Sequence, residues 1–209
     1  MGLGERCGFR LLEISDCLWD SLRIHEVRMS FTPAVHFSHV GIFVSDIARM
    51  ERFYTEFLGL LVSDSGNLGT IRMVFLSRDP FDHHQIVLVS GRPPEATFSV
   101  INQISLRVED LAALRHFHTN AEAHGAIDVQ AVTHGNTLSV YFRDPEGNRV
   151  EVFIDTPWYV QQPSRQPIDL SLPDQELWQW VEAHARNLPG FLPVSDWRQQ
   201  FQTRVTQKP

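Results

Sequence analysis

An internal repeat limits the possible folds of this chain more than any other feature of its sequence. The segment FSHVGIFVSDIARMERFYTEFLGLLV (37–62) aligns with INQISLRVEDLAALRHFHTNAEAHGAIDV (101–129). Gln103 follows the aligned His39 by 64 residues, and in both copies an aspartate stands seven residues further along. Self-similarity at a fixed spacing indicates two copies of one structural unit.

Each copy predicts a strand, a helix and then two or three further strands. The helices are predicted at 46–58 and 110–124, where apolar residues recur with helical spacing. IRMVFLSRDPFDHHQIVLV (71–89) and TLSVYFRDPEGNRVEVFI (137–154) each read as a strand, an Asp-Pro turn and a second strand. Two such βαβββ units predict an α+β fold, in which the paired modules form a curved mixed sheet around a cavity.

The regions outside the repeat divide the chain further. The first residues have no counterpart in the repeat, and they are interpreted as a poorly ordered extension or as sequence upstream of a natural start at Met29. The segment SGRPPEATFS (90–99) is rich in turn formers and is predicted to link the modules. The predicted parts are an N-terminal extension (1–35), a domain (36–155) with modules at 36–92 and 100–155, and a C-terminal extension (156–209).

The C-terminal extension is predicted to be helical and packed. A helix is expected from about 173 to 187, with Ser171 and Asp174 spaced as a capping box. A second helical piece is predicted in VSDWRQQFQTR. We expect this extension to wrap onto the sheet or onto a second subunit, because its tryptophans make it too apolar to remain solvated. These residues are Trp158, Trp178, Trp180 and Trp197.

Charge and composition exclude several classes of partner. The formal net charge is -7 and no cluster of Lys and Arg occurs, which argues against nucleic-acid binding. No stretch reaches the roughly 18 consecutive apolar residues of a membrane helix, and charges interrupt the N-terminus where a secretory signal needs an apolar run. The only cysteines, Cys7 and Cys17, form no framework for disulfides or metal. We therefore expect a cytoplasmic protein that binds a small molecule and holds any metal through nitrogen and oxygen.

Polar residues interrupt the predicted strands at related positions. His39 and Gln103 begin equivalent strands, whereas His84 and Glu151 lie on the last strands of the two halves. Each residue alone has an ordinary interpretation as a surface or hydrogen-bonded core residue. The repeat predicts, however, that His39 and Gln103 face each other, with Glu151 on a strand of the same sheet. An imidazole, an amide oxygen and a carboxylate together suit Fe(II), Mn(II) or Zn(II).

Three motifs carry a resemblance to a known family. The segments HVGIFVSD, INQISLRVEDL and YFRDPEGNRVEVF resemble those of the vicinal oxygen chelate superfamily. That superfamily includes glyoxalase I, fosfomycin-resistance enzymes and type I extradiol ring-cleaving dioxygenases, and the resemblance covers residues 36–155. It implies two paired modules around a metal cavity, with His39, Gln103 and Glu151 as the metal ligands. It also implies a homodimer, since family members commonly pair through sheet edges or tails.

Two further motifs resemble the extradiol dioxygenases within that family. HHQIVLV (83–89) resembles their paired-histidine strand, which implies that His84 relays protons near the metal. THGNTLSVYFRDP resembles the stretch that supplies a histidine and a tyrosine to their pocket, which implies His134 and Tyr141 as catalytic residues. The alternatives are a polar loop residue for His134 and sheet packing for Tyr141.

One position departs from the extradiol pattern. The resemblance implies a second histidine ligand where Gln103 stands, and an amide oxygen binds Fe(II) more weakly than imidazole does. Some glyoxalase I enzymes place Gln at an equivalent position, but their further carboxylate ligand would fall at Ile86, which cannot bind metal. A three-ligand site with open positions for substrate and O2 therefore remains.

These features favour an Fe(II)-dependent extradiol dioxygenase that cleaves a catechol-like ring with O2, with Mn(II) or Zn(II) as alternative metals. The second interpretation keeps the site and changes the reaction to that of a metal-dependent isomerase, lyase or thiol transferase. The third is a small-molecule binding protein without catalysis.

Overall fold

The computed structural model describes residues 35–207. The predicted N-terminal extension lies outside the described residues except for Val35, and so do Cys7, Cys17 and Met29. The described chain is an α+β structure in which two βαβββ modules are followed by a helical tail, and this confirms the predicted fold class. No helix within this range is both long and apolar enough to cross a membrane.

The elements follow the order that the repeat predicts. A π-helical turn (Phe53–Phe57) extends the first helix, and a 3-10 turn (Glu122–His124) follows the second. The strands are β1 Val40–Val44, β2 Leu61–Leu68, β3 Ile71–Ser77, β4 Ile86–Ser90, β5 Ile104–Arg107, β6 Ile127–Thr133, β7 Thr137–Arg143, β8 Arg149–Asp155, β9 Trp158–Tyr159, β10 Gln166–Pro167 and β11 Leu192–Pro193. The helices are α1 Ile47–Arg52, α2 Leu111–Asn120, α3 Asp174–Arg186 and α4 Val194–Gln207.

The two repeated helices begin in the same way. Asp46 caps α1 by accepting a hydrogen bond from the backbone N–H of Arg49 at 3.0 Å. Asp110 caps α2 by accepting one from the N–H of Ala113 at 2.8 Å. Each carboxylate satisfies a backbone donor that has no partner within its helix, which explains why both copies of the repeat carry aspartate there.

The strands form one sheet for each module. The first sheet has the order β1-β4-β3-β2 and the second the order β10-β6-β7-β8-β5. In both, the first strand of the module pairs in parallel with the last, and the remaining neighbours are antiparallel. β1 and β5 are not hydrogen-bonded to each other, so the modules do not share a ladder. A crevice of about 790 Å³ separates them, with Gln85 on one side and Ser105 on the other.

The modules contact each other through α1 and the β7–β8 turn. The Glu146 carboxylate accepts hydrogen bonds from the backbone N–H groups of Ser45 (2.8 Å) and Asp46 (2.7 Å). It therefore lies at the positive end of α1, where a negative charge is stabilising. The Arg92 guanidinium lies 3.5 Å from this carboxylate and also donates to the Glu146 carbonyl at 3.0 Å.

A second contact between the modules is buried. The Tyr54 hydroxyl donates to the Asp144 carboxylate at 3.2 Å, and both residues are almost fully enclosed. Burial, together with the charge of Asp144, raises the pKa of Tyr54 well above its usual value, so the phenol remains a donor. The rings of Phe53 and Phe57 pack against Phe142 at centroid distances of 6.2 and 5.6 Å. This packing ties the first module to the helix-facing side of the second sheet.

The aromatic residues of the tail pack against one another. The buried Trp158 contacts Trp178 edge to face at 6.2 Å, and Tyr159 stacks on Trp197 at 5.1 Å. The predicted capping box is wrong, because α3 has Pro173 at its cap and no side-chain hydrogen bond there. Ser171 donates its hydroxyl to Asp169 at 2.7 Å instead, so a nearer acceptor removes it from the helix end.

Candidate functional site

A row of polar side chains crosses the second sheet. Ser105 on β5 lies opposite Glu151 on β8, and Glu151 lies opposite Tyr141 on β7. Gln130 on β6 continues the row beside Tyr141. Directly opposed residues on neighbouring strands project from the same face, so this register brings the four side chains together.

Glu151 is buried and accepts hydrogen bonds from two neighbours. Its Oε2 accepts from the Ser105 hydroxyl at 2.6 Å and from the Gln103 Nε2 at 2.8 Å. Gln103 also donates to the Ser105 oxygen at 2.9 Å. A buried carboxylate is tolerated only when donors or a cation compensate for its lost hydration, and these donors meet that need in part. The Gln103 amide oxygen has no hydrogen-bond partner within residues 35–207, which leaves it available as a metal donor.

Tyr141 is a hydrogen-bond donor rather than a base. Burial is the main reason that its pKa rises to about 12, and the neighbouring Glu151 carboxylate acts in the same direction. Hydrogen bonding from Gln103 and the charge of Arg165 oppose this rise without cancelling it. The phenol is therefore protonated at neutral pH.

The segment that follows β9 orients His134. The His134 Nδ1 lies 2.6 Å from the carbonyl oxygen of Ser164, and its Nε2 lies 3.0 Å from the Tyr141 hydroxyl. A carbonyl can only accept, so in the neutral ring the proton belongs to Nδ1 and Nε2 accepts from Tyr141. Gln162 donates to the His134 carbonyl at 2.7 Å and holds the same loop. The result is a hydrogen-bonded pair of His134 and Tyr141 that lies next to Glu151 in the polar row of the sheet.

The histidines of the first module form a separate group. His39 is exposed, and its ring centroid lies 4.2 Å from that of the half-buried His84. His84 also contacts His83, with 2.9 Å between their Nδ1 atoms. Desolvation, followed by the neighbouring His39 and His83, lowers the pKa of His84. A neutral imidazole at physiological pH is able to accept a proton.

The predicted site residues therefore fall into two groups, one in each module. Among residues 35–207, no three or more His, Cys, Asp or Glu side chains are arranged to hold a metal ion. The three-ligand set remains a prediction, of which the second module brings together the amide and the carboxylate. The second-module group is Gln103, Glu151, Tyr141 and His134, and the first-module group is His39 and His84.

The register also revises one alignment from the sequence. Gly41 pairs with Val87 in the first sheet as Ser105 pairs with Glu151 in the second. The counterpart of Glu151 is therefore Val87, whereas the aligned Ile86 faces the core and is only 2% exposed. The shift arises because the Asp-Pro turn of the first module is one residue longer. Val87 cannot bind metal either, so the first module still supplies no second carboxylate.

Several residues near the site were not predicted from the sequence. Ser105 lies two positions after Gln103, and the alternation of a strand would have placed both on one face. Arg149 precedes Glu151 by two positions and follows the same rule. Arg165 comes from the loop after β9, and no local pattern indicates its position. Arg149 and Arg165 line a cavity of about 430 Å³ together with His134 and Tyr141.

Comparison with known proteins agrees with this architecture. The model of the glyoxalase/bleomycin resistance protein/dioxygenase superfamily matches residues 36–152. A biphenyl-2,3-diol 1,2-dioxygenase from Rhodococcus globerulus is 29% identical over 132 residues, which cover 61% of this chain and 66% of the relative. The match thus spans just under two thirds of that relative's length.

One solved structure shows the same fold, and others show a weaker similarity. A glyoxylase/bleomycin resistance protein/dioxygenase domain from Frankia sp. EAN1pec has a TM-score of 0.51 and 22% identity, covering 59% of this chain and 94% of that one. A fosfomycin resistance protein from Listeria monocytogenes, solved with Mn(II) and sulfate, has a TM-score of 0.47 and 16% identity, covering 59% and 95%. With its family model matched over more than half of its length, the chain belongs to the glyoxalase/bleomycin resistance protein/dioxygenase superfamily.

Proposed function

We propose that this protein is a metal-dependent extradiol dioxygenase, which cleaves a catechol-like ring with O2 and acts as a homodimer. The observation that carries the proposal is the hydrogen-bonded pair of His134 and Tyr141 next to the buried Glu151 carboxylate, beside an open cavity. A carboxylate ligand with an adjoining hydrogen-bonding pair is suited to binding a diol and to hydrogen-bonding its oxygens. The name of the Rhodococcus globerulus relative, a biphenyl-2,3-diol dioxygenase, supports the same reaction class.

The donor atoms are of types that suit the proposed metal. Within one chain they lie in two separate groups, one in each module. Glu151 and Gln103 lie together, and the Gln103 amide oxygen and the His39 Nε2 make no hydrogen bond within residues 35–207. One imidazole, one amide and one carboxylate are compatible with Fe(II), Mn(II) or Zn(II), and the proposed reaction with O2 selects Fe(II). Such a metal would supply a Lewis acid that holds the diol and O2 side by side.

The side chains of this protein would then control protons. Tyr141 is protonated at neutral pH, and its single O–H, which donates to the His134 Nε2 in the free protein, would turn to donate to an oxygen of the diol. His134 orients that hydroxyl through Nε2, since its Nδ1 is occupied by the Ser164 carbonyl. His84, whose pKa is lowered, would accept the proton of the second hydroxyl group.

A second copy of the chain is the partner that would complete the site. His39 lies beside a sheet face that exposes large apolar side chains, and such a face is typical of an interface. The second module has the complementary half, a polar face with Glu151 and Gln103 that lacks an imidazole ligand. Two-fold pairing would bring each half to the other and create two equal sites. The exposed apolar residues of this face are Phe43, Leu61, Leu68 and Ile71.

Oxygen uptake tests the proposed reaction. Protein loaded with Fe(II) under anaerobic conditions should consume one O2 per diol when mixed with a panel of catechols, and a yellow ring-fission product should appear. The same protein loaded with Zn(II) serves as the control and should take up no O2, because Zn(II) has no redox chemistry. If the iron-loaded protein binds catechols but never takes up O2, the dioxygenase proposal is wrong.

Replacing Gln103 by His tests how this position tunes the metal. We expect Gln103→His to bind Fe(II) about tenfold more tightly or better, because imidazole is the stronger donor, and to raise the rate of ring cleavage. Competition with a chelator measures the affinity, and Gln130→His is the matched control, since Gln130 lies on the same face but next to Tyr141.

The opposite result would favour the second candidate function. If Gln103→His binds Fe(II) more tightly but does not cleave the ring, and the wild type retains Mn(II) or Zn(II) on purification, the amide ligand is suited to a redox-neutral isomerase, lyase or thiol transferase. The feature that favours this alternative is the neutral amide oxygen of Gln103, which is a weaker metal donor than the imidazole of a histidine.

A further inference from the structure

We infer that the substrate carries an oxyanion group, a carboxylate or a phosphonate, which Arg149 and Arg165 bind in the cavity beside Tyr141. The aromatic ring of the substrate rests on the proposed function. The inference adds a charged substituent on that ring. Nothing in the oxidation of a catechol requires such a group, so the two ideas can fail separately.

Both guanidinium groups flank the same phenol. The central carbons of Arg149 and Arg165 each lie 5.9 Å from the ring centroid of Tyr141. Arg149 extends from β8 on the face that carries Glu151, whereas Arg165 reaches the cavity from the loop after β9. An anion bound by the two arginines would lie next to His134 and Tyr141, close to the position that the aromatic ring of the substrate would occupy.

The positive charge of this pair is not neutralised within the described structure. Neither guanidinium lies within 4.0 Å of a carboxylate of residues 35–207, the distance within which the other ion pairs of the chain are found. Arg165 donates only to the amide oxygen of Gln130, at 2.6 Å. On the same cavity wall, by contrast, Arg143 pairs with Asp128 at 2.8 Å.

The Glu151 carboxylate, on the same strand as Arg149, is already engaged. Glu151 accepts from Ser105 and Gln103, and it is the proposed metal ligand, so its charge is not available to the arginines. Two unpaired cations facing one cavity are unusual in a chain with a net charge of -7. The planar fork of arginine matches the two oxygens of a carboxylate or a phosphonate, which makes an oxyanion the complementary ligand.

Titration calorimetry with three simple probes tests the inference on the protein as purified. Benzoate, phenylphosphonate and benzamide present the same ring with two anionic groups and one neutral group. We expect at least one anion to bind about tenfold or more tightly than benzamide, as a charge-assisted hydrogen bond allows. The tighter of the two anions identifies the group as carboxylate or phosphonate.

Variants of the two arginines test whether the preference for anions arises in this cavity. The double variant Arg149→Gln/Arg165→Gln should bind the anion and benzamide equally, and Arg149→Lys should keep part of the preference because it keeps the charge. Arg107→Gln is the matched control, since Arg107 lies on β5 next to Phe153 and pairs with Asp155 away from the cavity. Thermal unfolding of each variant establishes that it is folded.

Two outcomes overturn the inference: equal binding of all three probes to the wild type, or an anion preference that survives the double substitution. Failure of the proposed function looks different. In that case no catechol supports O2 uptake, but the wild type still prefers the anion and the double variant still lacks that preference. Conversely, O2 uptake without any anion preference contradicts only the inference drawn from Arg149 and Arg165.

Discussion

Mixing two inactive variants, His39→Ala and Glu151→Gln, should restore about a quarter of the wild-type activity if each site is built from two copies. Each variant alone should lose at least about 100-fold in metal affinity and turnover, because a direct ligand matters more than its supporting contacts. Glu151→Gln retains the size and much of the hydrogen bonding of the buried side chain, so the loss reflects the charge. His39 is exposed, and its removal leaves the core unchanged.

The expected fraction follows from the geometry of a two-fold dimer. When the two variants are mixed and allowed to exchange, about half of the dimers contain one copy of each. In such a dimer, one site combines both substitutions, and the other combines an intact His39 with an intact Glu151. One site in four is therefore native, which oxygen uptake and bound iron should both reveal.

A second mixture provides the control. Gln103→Ala and Glu151→Gln affect the same half of the site, so no dimer that they form contains an intact second-module half. That mixture should stay inactive. If the His39→Ala and Glu151→Gln mixture forms mixed dimers, detected with two different affinity tags, but remains inactive as well, the site does not form between copies.

The largest loss of stability should come from Asp144→Ala, which we expect to lower the free energy of unfolding by about 3 kcal/mol. Asp144 is 1% exposed, and its carboxylate accepts from the backbone N–H groups of Glu146 (3.0 Å) and Asn148 (2.9 Å). It also accepts from the Asn148 side chain at 2.8 Å and from the Tyr54 hydroxyl at 3.2 Å. Removing the carboxylate leaves these donors buried without an acceptor, and that is the costly case.

Desolvation limits the size of this effect. Burial raises the pKa of Asp144 despite the hydrogen bonds that it accepts, so part of their gain is offset in the native protein. We therefore expect about 3 kcal/mol rather than the sum of the separate bonds, and a fall in Tm of about 6–12 °C for a domain of this size. Urea unfolding and calorimetry measure the two quantities.

The control for this prediction is another aspartate of the repeat. Asp46 is an exposed helix cap, and Asp46→Ala should cost about 1 kcal/mol, the usual value for an N-cap. If both variants lose the same free energy, the buried contact between Asp144 and Tyr54 does not hold the modules together as the structure indicates.

Features with a local physical cause could be predicted from the sequence. The helix caps at Asp46 and Asp110 follow from the repeat, and so does the order of strands in each module. The closeness of Gln103 to Glu151 was also predictable, because a parallel pairing of first and last strands is inherent in the βαβββ unit. His134 and Tyr141 come from one hairpin, which explains why a single motif indicated both.

Predictions from the sequence were wrong where a shift of one residue, or a competing hydrogen-bond partner, decides the position of a side chain. The counterpart of Glu151 is Val87 rather than Ile86, since a strand has a period of two and a one-residue offset changes the face. The Ser171 hydroxyl bonds to Asp169 instead of capping α3, although the spacing to Asp174 fits the motif.

Local sequence patterns are sufficient to predict the two modules, their strands and helices, and the polar residues that line the site, because periodicity and turn chemistry act over a few residues. The way in which the modules meet depends on tertiary contacts. The packing of α1 against the β7–β8 turn, through Glu146, Tyr54 and Asp144, leaves the sheets separate and puts His39 and Glu151 in different groups. Tertiary contacts also place Arg165 beside Tyr141. These contacts join residues far apart in the chain, and no local pattern encodes which distant surfaces bury each other best.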